Sequence, residues 1–250
     1  MERNIKFIDE FSQKPLYLET LLNDKGLGVG TGFAVKKDDS YYIITNWHVV
    51  TGRDPKDNKP ISKNGVADPQ KLRVWFHGKK LGFWISCEIN LIDQKGNKLW
   101  LEHVSGKEID VVAIKFLIAP NIEVYDIDLS LSDFDLMIYP SEAVSIIGYP
   151  EGLTSAGMLP IWKTGHVASD IDLDWDRKPA FLIDATTKGG MSGSPVIAKR
   201  VSIYQTSKGN TIGNAVRFLG VYSGRNIGSF GTEIGIVWKP IVISEILTKK

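Results

Sequence analysis

The sequence predicts a mostly-β protein, on three observations. Short runs rich in β-branched and aromatic residues, bounded by Gly, Asn, Asp or Pro, recur along the whole chain. Apolar residues at helical spacing are scarce. The 250 residues suffice for one large all-β domain or two small ones, with a substantial core either way.

The elements follow in order. Ile8 to Phe11 predicts a short helix before Pro15, and Leu16 to Leu22 a strand. Asn23-Asp24-Lys25-Gly26 reads as a hairpin turn leading into a glycine-rich strand, Leu27 to Val35. A third strand, Tyr41 to Thr45, runs directly into Asn46-Trp47-His48-Val49-Val50. Residues 52–70 hold three prolines and almost no apolar residue, which predicts a long surface loop. Further strands are expected over Lys71 to Phe76, Gly82 to Ile92, Leu99 to His103 and Val111 to Leu117. Ala119 to Pro140 lacks periodicity and is acidic from Glu123 to Asp135, so it reads as the connection between two halves. The second half has strands near Ala143 to Ile147, Leu159 to Ser169, Ala180 to Ala185, Pro195 to Ile203, Val216 to Ser223 and Gly235 to Trp238. Asp170 to Lys178 is a polar turn, and Ile241 to Leu247 a short C-terminal helix.

Composition is that of an ordinary globular chain, 43% hydrophobic and 24% charged with a net charge of +1. It carries no electrostatic argument for nucleic acid, an anionic membrane or a strongly charged substrate. The one cysteine, Cys87, excludes an intramolecular disulfide and sits in a strand-like run as a small hydrophobe. The charged N-terminus has no apolar leader and no stretch approaches 18 apolar residues, so the expected setting is reducing and cytoplasmic.

The chemistry gathers at Gly189-Gly190-Met191-Ser192-Gly193-Ser194, between two β-like runs. Such a turn exposes the Ser192 hydroxyl, and its glycines let backbone N–H groups converge on one point, as an oxyanion hole requires. The same residues would also make a plain Gly/Ser hairpin. A serine nucleophile needs a base and a third group that orients the base. His48 terminates an apolar strand at Thr45 to Val50, whereas His77, His103 and His166 read as surface or structural. Asp110 heads the run Val111-Val112-Ala113-Ile114, where a carboxylate meets a buried strand and needs a partner. Backbone amides would serve that need as well as an imidazole.

Three segments, Gly30 to Val35 with Thr45 to Val50, Ile109 to Lys115, and Gly189 to Val196, together resemble the chymotrypsin-like serine proteases. Within that group they are most like the HtrA/Deg-type trypsin-like peptidases and the bacterial glutamyl endopeptidases. Val144 to Gly152 resembles the turn opening the second barrel, and Gly220 to Gly224 the strand that pairs with substrate. The resemblance implies two six-stranded antiparallel β-barrels and a short C-terminal helix. Residues 1–118 would form the first barrel with His and Asp, 119–140 the connection, and 141–250 the second barrel with Ser and the pocket for the P1 side chain.

By the same resemblance Ser192 would be the nucleophile, His48 the base and Asp110 its orienting group, with the N–H groups of Gly190 and Ser192 as oxyanion hole. Thr186, Thr187, Tyr222, Ser223, Gly224, Arg225 and Gly235 would bind substrate. The implied activity is that of a serine endopeptidase on polypeptides, with no metal or organic cofactor. The alternative is a protease-fold module, silent or activated by a regulatory protein, that binds extended peptides or a partner. The chain also departs from its relatives. Thr186 stands where trypsin-like enzymes carry an acidic pocket base, and Tyr222 where glutamyl endopeptidases carry a histidine, so a medium, uncharged P1 residue is expected, with Arg225 at the rim. Met191 replaces the aspartate used in zymogen activation, no Ile-Val-Gly-Gly segment is present, and Lys250 follows the second barrel where HtrA/Deg enzymes continue into a PDZ domain.

Overall fold

The computed structural model describes residues 7–62, 65, 68–80, 82–225 and 233–248. Among them the chain forms two antiparallel sheets and two short α-helices. The first sheet comprises β1 (Pro15–Leu22), β2 (Lys25–Lys37), β3 (Ser40–Thr45), β4 (Lys71–Gly78), β5 (Trp84–Asn90), β6 (Leu101–Glu102), β7 (Val112–Phe116) and β8 (Ile122–Glu123). Its order is β5-β4-β1-β2-β3-β7-β6, with β8 paired to β4. The second comprises β9 (Ala143–Gly148), β10 (Ile161–Val167), β11 (Ala180–Asp184), β12 (Pro195–Thr206), β13 (Gly209–Arg225) and β14 (Ile234–Trp238). These six close on themselves in the order β10-β11-β14-β13-β12-β9. The chain is therefore a chymotrypsin-like, two-sheet β protein with a short C-terminal helix, α2 (Ile241–Thr248). The first sheet reaches eight strands because β6 and β8, two residues each, pair at its margins.

Several elements depart from the expected bounds. The first helix is a single 3-10 turn, Glu10–Ser12, capped by the Asp9 carboxylate. The first hairpin turns on Asn23 and Asp24, whose φ values of 47° and 62° are left-handed, so Lys25 and Gly26 already belong to β2. The connection hides β8 and a 3-10 turn, Leu129–Asp133, both too short to set up a period. Strand β13 begins seven residues earlier than expected, because Gly209 to Ala215 pairs with β12 along a hairpin that projects from the barrel.

The core has three parts. One lies within the first sheet, around Leu18, Ile43, Val74 and Ile114, and one within the second, around Ile146, Ile183, Met191 and Tyr222. The third joins the two sheets. There Phe33 of β2 meets Phe218 of β13 edge-to-face, ring centroids 5.6 Å apart. Helix α2 closes this junction with Val242, Ile243 and Ile246, all fully buried. At about 1.5–3 kcal/mol per buried aliphatic side chain, that face is what holds a helix of two turns in place.

Candidate active site

Strand β3 carries the chain from the first core to the sheet junction, where Asn46, in extended conformation, precedes a single helical turn, α1 (Trp47–Thr51). His48 therefore sits in a helical turn and not on the end of a strand. Gly52 ends the turn in the left-handed conformation, its N–H donating to the His48 carbonyl at 2.9 Å. Five residues are too few to show a helical period. Asp110 lies on the approach to β7 and is 4% exposed. The Asn46 amide donates to its main-chain carbonyl at 2.6 Å, tying α1 to β7.

The Asp110 carboxylate receives three donors. The His48 main-chain N–H reaches Oδ1 at 2.9 Å, and His48 Nδ1 lies 2.6 Å from Oδ2. The Ser223 hydroxyl, from β13 of the other sheet, also donates to Oδ2. One bond holds the ring and the other the main chain of His48 on the same carboxylate, so Nε2 is the ring nitrogen that Asp110 does not engage. Burial opposes charge on the imidazole, but the charge and hydrogen bond of Asp110, with Asp54 farther off, hold the His48 pKa above its ordinary value.

Ser192 lies on the turn between β11 and β12. The Tyr222 backbone bonds to both residues after it, accepting from the Gly193 N–H at 2.8 Å and donating to Ser194 O at 2.9 Å. Gly193 has φ 87°, and a Cβ there would lie 1.9 Å from the Thr31 carbonyl oxygen, so only glycine fits. Met191 is fully buried in the second core, anchoring the turn by packing. The Gly189 carbonyl accepts from the Glu151 N–H at 2.6 Å. In a trans peptide the next N–H points the opposite way, so the Gly190 N–H faces away from Glu151. Among the described residues neither the Gly190 nor the Ser192 N–H donates to another backbone group.

His48, Asp110, Ser192, Ser223 and Gly224 line one cavity of about 380 Å³. Thr186 is exposed and its hydroxyl donates to Glu233 Oε2 at 2.5 Å. Thr187 and Tyr222 are buried with their hydroxyls bonded to each other. Gly235 lies against the Tyr222 ring. The Arg225 side chain lies outside what is described. The remaining histidines sit elsewhere: His77 is buried against Trp84 and Tyr125, His103 pairs with Glu245 of α2 at 2.9 Å, and His166 is exposed on β10. Among the described residues no cluster of His, Cys, Asp or Glu is arranged to hold a metal, and no helix is long and apolar enough to cross a membrane.

Sequence reasoning assigned no role to Thr31. Fully buried on β2, it donates its hydroxyl to the Gly190 carbonyl at 2.7 Å and its N–H to the Ser192 carbonyl at 2.9 Å. The one available signal was its position between two glycines, Gly30 and Gly32.

Two sheets meeting at a His–Asp pair, with a serine on a glycine turn beside them, are the arrangement of the chymotrypsin-like fold. The chain belongs to the trypsin-like peptidase domain family, whose model matches residues 30–202. Solved structures of similar fold include the serine endoprotease from Yersinia pestis, 14% identical with a TM-score of 0.50, covering 94% of this chain. This chain spans 62% of that protein's chain. An inactive form of a serine-to-alanine mutant of Rv3671c from M. tuberculosis H37Rv is 17% identical, with a TM-score of 0.49 and coverage of 95% of this chain and 86% of that one. No curated protein matches the chain.

Proposed function

We propose that this chain is a serine endopeptidase, hydrolysing peptide bonds through Ser192, His48 and Asp110 by way of an acyl-enzyme. The observation that carries the reading is the pair of hydrogen bonds from His48 to the Asp110 carboxylate, made on the cavity that Ser192 also lines. In the proposed cycle His48 Nε2 takes the Ser192 proton as Oγ attacks the scissile carbonyl, then delivers it to the leaving amine. Nδ1 keeps its proton, held by Asp110 Oδ2, and the carboxylate stabilises the imidazolium that forms. Water then attacks the acyl carbon as His48 Nε2 takes its proton; the bond from the acyl carbon to Ser192 Oγ breaks, His48 returns the proton to Oγ, and the carboxylic acid product leaves.

The oxyanion of each tetrahedral intermediate would be met by the Gly190 and Ser192 N–H groups, an interaction worth about 3–4 kcal/mol in a comparable site. The anchoring of the Gly189 carbonyl on Glu151 and the burial of Met191 support a loop already set for this work, without a cleavage-dependent salt bridge. Backbone groups of Ser223 and Gly224, beside Ser192, would pair with an extended substrate.

Intact-mass spectrometry after treatment with a serine-directed fluorophosphonate tests the proposal. A single adduct on the wild type, absent from Ser192→Ala, is expected, together with a loss of kcat on the order of 10⁶. An unlabelled wild type would return the chain to the class of silent protease-fold binders.

A further inference from the structure

Resting on the endopeptidase reading, we propose that Tyr222 fills the pocket that would otherwise receive the P1 side chain, so that the enzyme cleaves after small uncharged residues such as Gly, Ala and Ser. The walls of that pocket would be the segment Thr186 to Gly190, the end of β13 and the start of β14. The Tyr222 ring occupies the space between them. It leaves β13, crosses over Gly235 of β14 and ends with its hydroxyl bonded to Thr187 Oγ1. A Cβ at Gly235 would lie 2.4 Å from ring atom Cε2 and 3.0 Å from the hydroxyl oxygen. The ring thus lies directly on the β14 backbone, with no depth left beneath it.

Two further observations agree. Tyr222 is wholly inaccessible and packs among the second core with Phe181, Ile183, Met191 and Val237, so solvent does not reach any face of the ring. Thr186, at the position that would form the pocket base, is exposed and spends its hydroxyl on Glu233. The open space beside Ser192 lies on the other side, lined by His48, Ile61, Trp175 and Ser223, and does not include Thr187, Tyr222 or Gly235. A large P1 side chain would have to displace a packed, hydrogen-bonded aromatic ring. A methyl or hydroxymethyl group would not.

The test is a set of peptide thioesters differing only at P1, with Gly, Ala, Ser, Leu, Phe, Lys and Glu, run on the wild type, Tyr222→Val and Tyr222→Ala. For the wild type, kcat/KM at Ala should exceed that at Phe or Leu on the order of 100-fold. Tyr222→Val keeps an apolar β-branched residue in the strand, and it should raise turnover of Leu and Phe substrates at least tenfold relative to Ala. Tyr222→Ala, which removes still more of the ring's volume, should widen the gain further, most for Phe. Wild-type preference for Phe, Leu, Lys or Glu would overturn the proposal without help from either variant. Fluorophosphonate labelling of the same samples separates the two readings: labelled Ser192 with large-P1 preference overturns the pocket assignment alone, whereas no labelling and no thioester turnover overturns both.

Discussion

The Thr31 hydroxyl donates to the carbonyl oxygen of Gly190 at 2.7 Å, joining residues 159 positions apart. Around that bond Thr31 makes three more: its oxygen accepts from the Tyr149 N–H at 3.1 Å, its N–H donates to Ser192 O at 2.9 Å, and its carbonyl accepts from Thr45 Oγ1 at 2.7 Å. A residue of the first sheet thereby holds both flanks of the Ser192 turn, which belongs to the second. The strand pair that carries His48 and the turn that carries Ser192 are registered against each other through it.

Thr31→Val keeps the shape and removes the hydroxyl, leaving the Gly190 carbonyl and the Tyr149 N–H buried without their partner. Each such group costs about 1–3 kcal/mol, so the variant should lose stability by denaturant titration. Because the Gly190 carbonyl steadies the peptide next to the proposed oxyanion donors, kcat should fall more than KM rises. Thr31→Ser retains the donor and should recover most of kcat. Equal changes in kcat and KM would reduce Thr31 to a packing role.

Asp110→Asn removes the charge that raises His48. With the carboxylate gone, the burial that opposes the imidazolium dominates, and the His48 pKa moves down. The acid limb of kcat/KM, which marks the loss of neutral His48, should lie above the ordinary imidazole value of about 6.5 in the wild type and at lower pH in the variant. The plateau should drop by about 10⁴, since an amide also permits the wrong tautomer. A limb that stays in place would show that His48 is not coupled to Asp110.

Gly193→Ala should be inactive even where it folds. The added Cβ meets the Thr31 carbonyl oxygen at 1.9 Å and Thr45 Oγ1 at 2.5 Å, both rigid, and the φ of 87° is strained for any L side chain. Loss of fluorophosphonate labelling with retained β-sheet circular dichroism is the expected result; labelling at the wild-type rate would mean that the turn tolerates the shift.

What was legible in the sequence was local. Ser192 announces itself by three flanking glycines, and Asp110 by being a charge at the head of an apolar strand. Strand runs such as Tyr41 to Thr45 and Ala180 to Ala185 carry the residues that make a buried β surface, and their strands are β3 and β11. What was not legible depends on distant pairing. Thr211 to Asn214 has no apolar alternation, yet it is strand because β12 pairs with it residue for residue. Tyr222 looks like one more aromatic in a strand; only the absence of a Cβ at Gly235 and the hydroxyl of Thr187 show where its ring goes.

His77 offers a test of the first core that is independent of catalysis. The residue is 4% exposed, its ring tilted against Trp84 with centroids 3.9 Å apart and edge-on to Tyr125. Burial lowers its pKa from the ordinary 6.5 to about 4, only partly offset by a hydrogen bond to the Gln13 backbone. Between those two values the unfolded chain binds the proton and the folded one does not, so stability falls as pH drops from 6.5 toward 4. The full effect is about 3 kcal/mol. His77→Phe, which fills similar space beside the same two aromatics, removes that proton site. Urea titrations of both proteins should diverge across this window, the wild type losing more stability than the variant as the pH falls. Parallel curves would mean that His77 titrates normally and that its corner of the sheet is open to water.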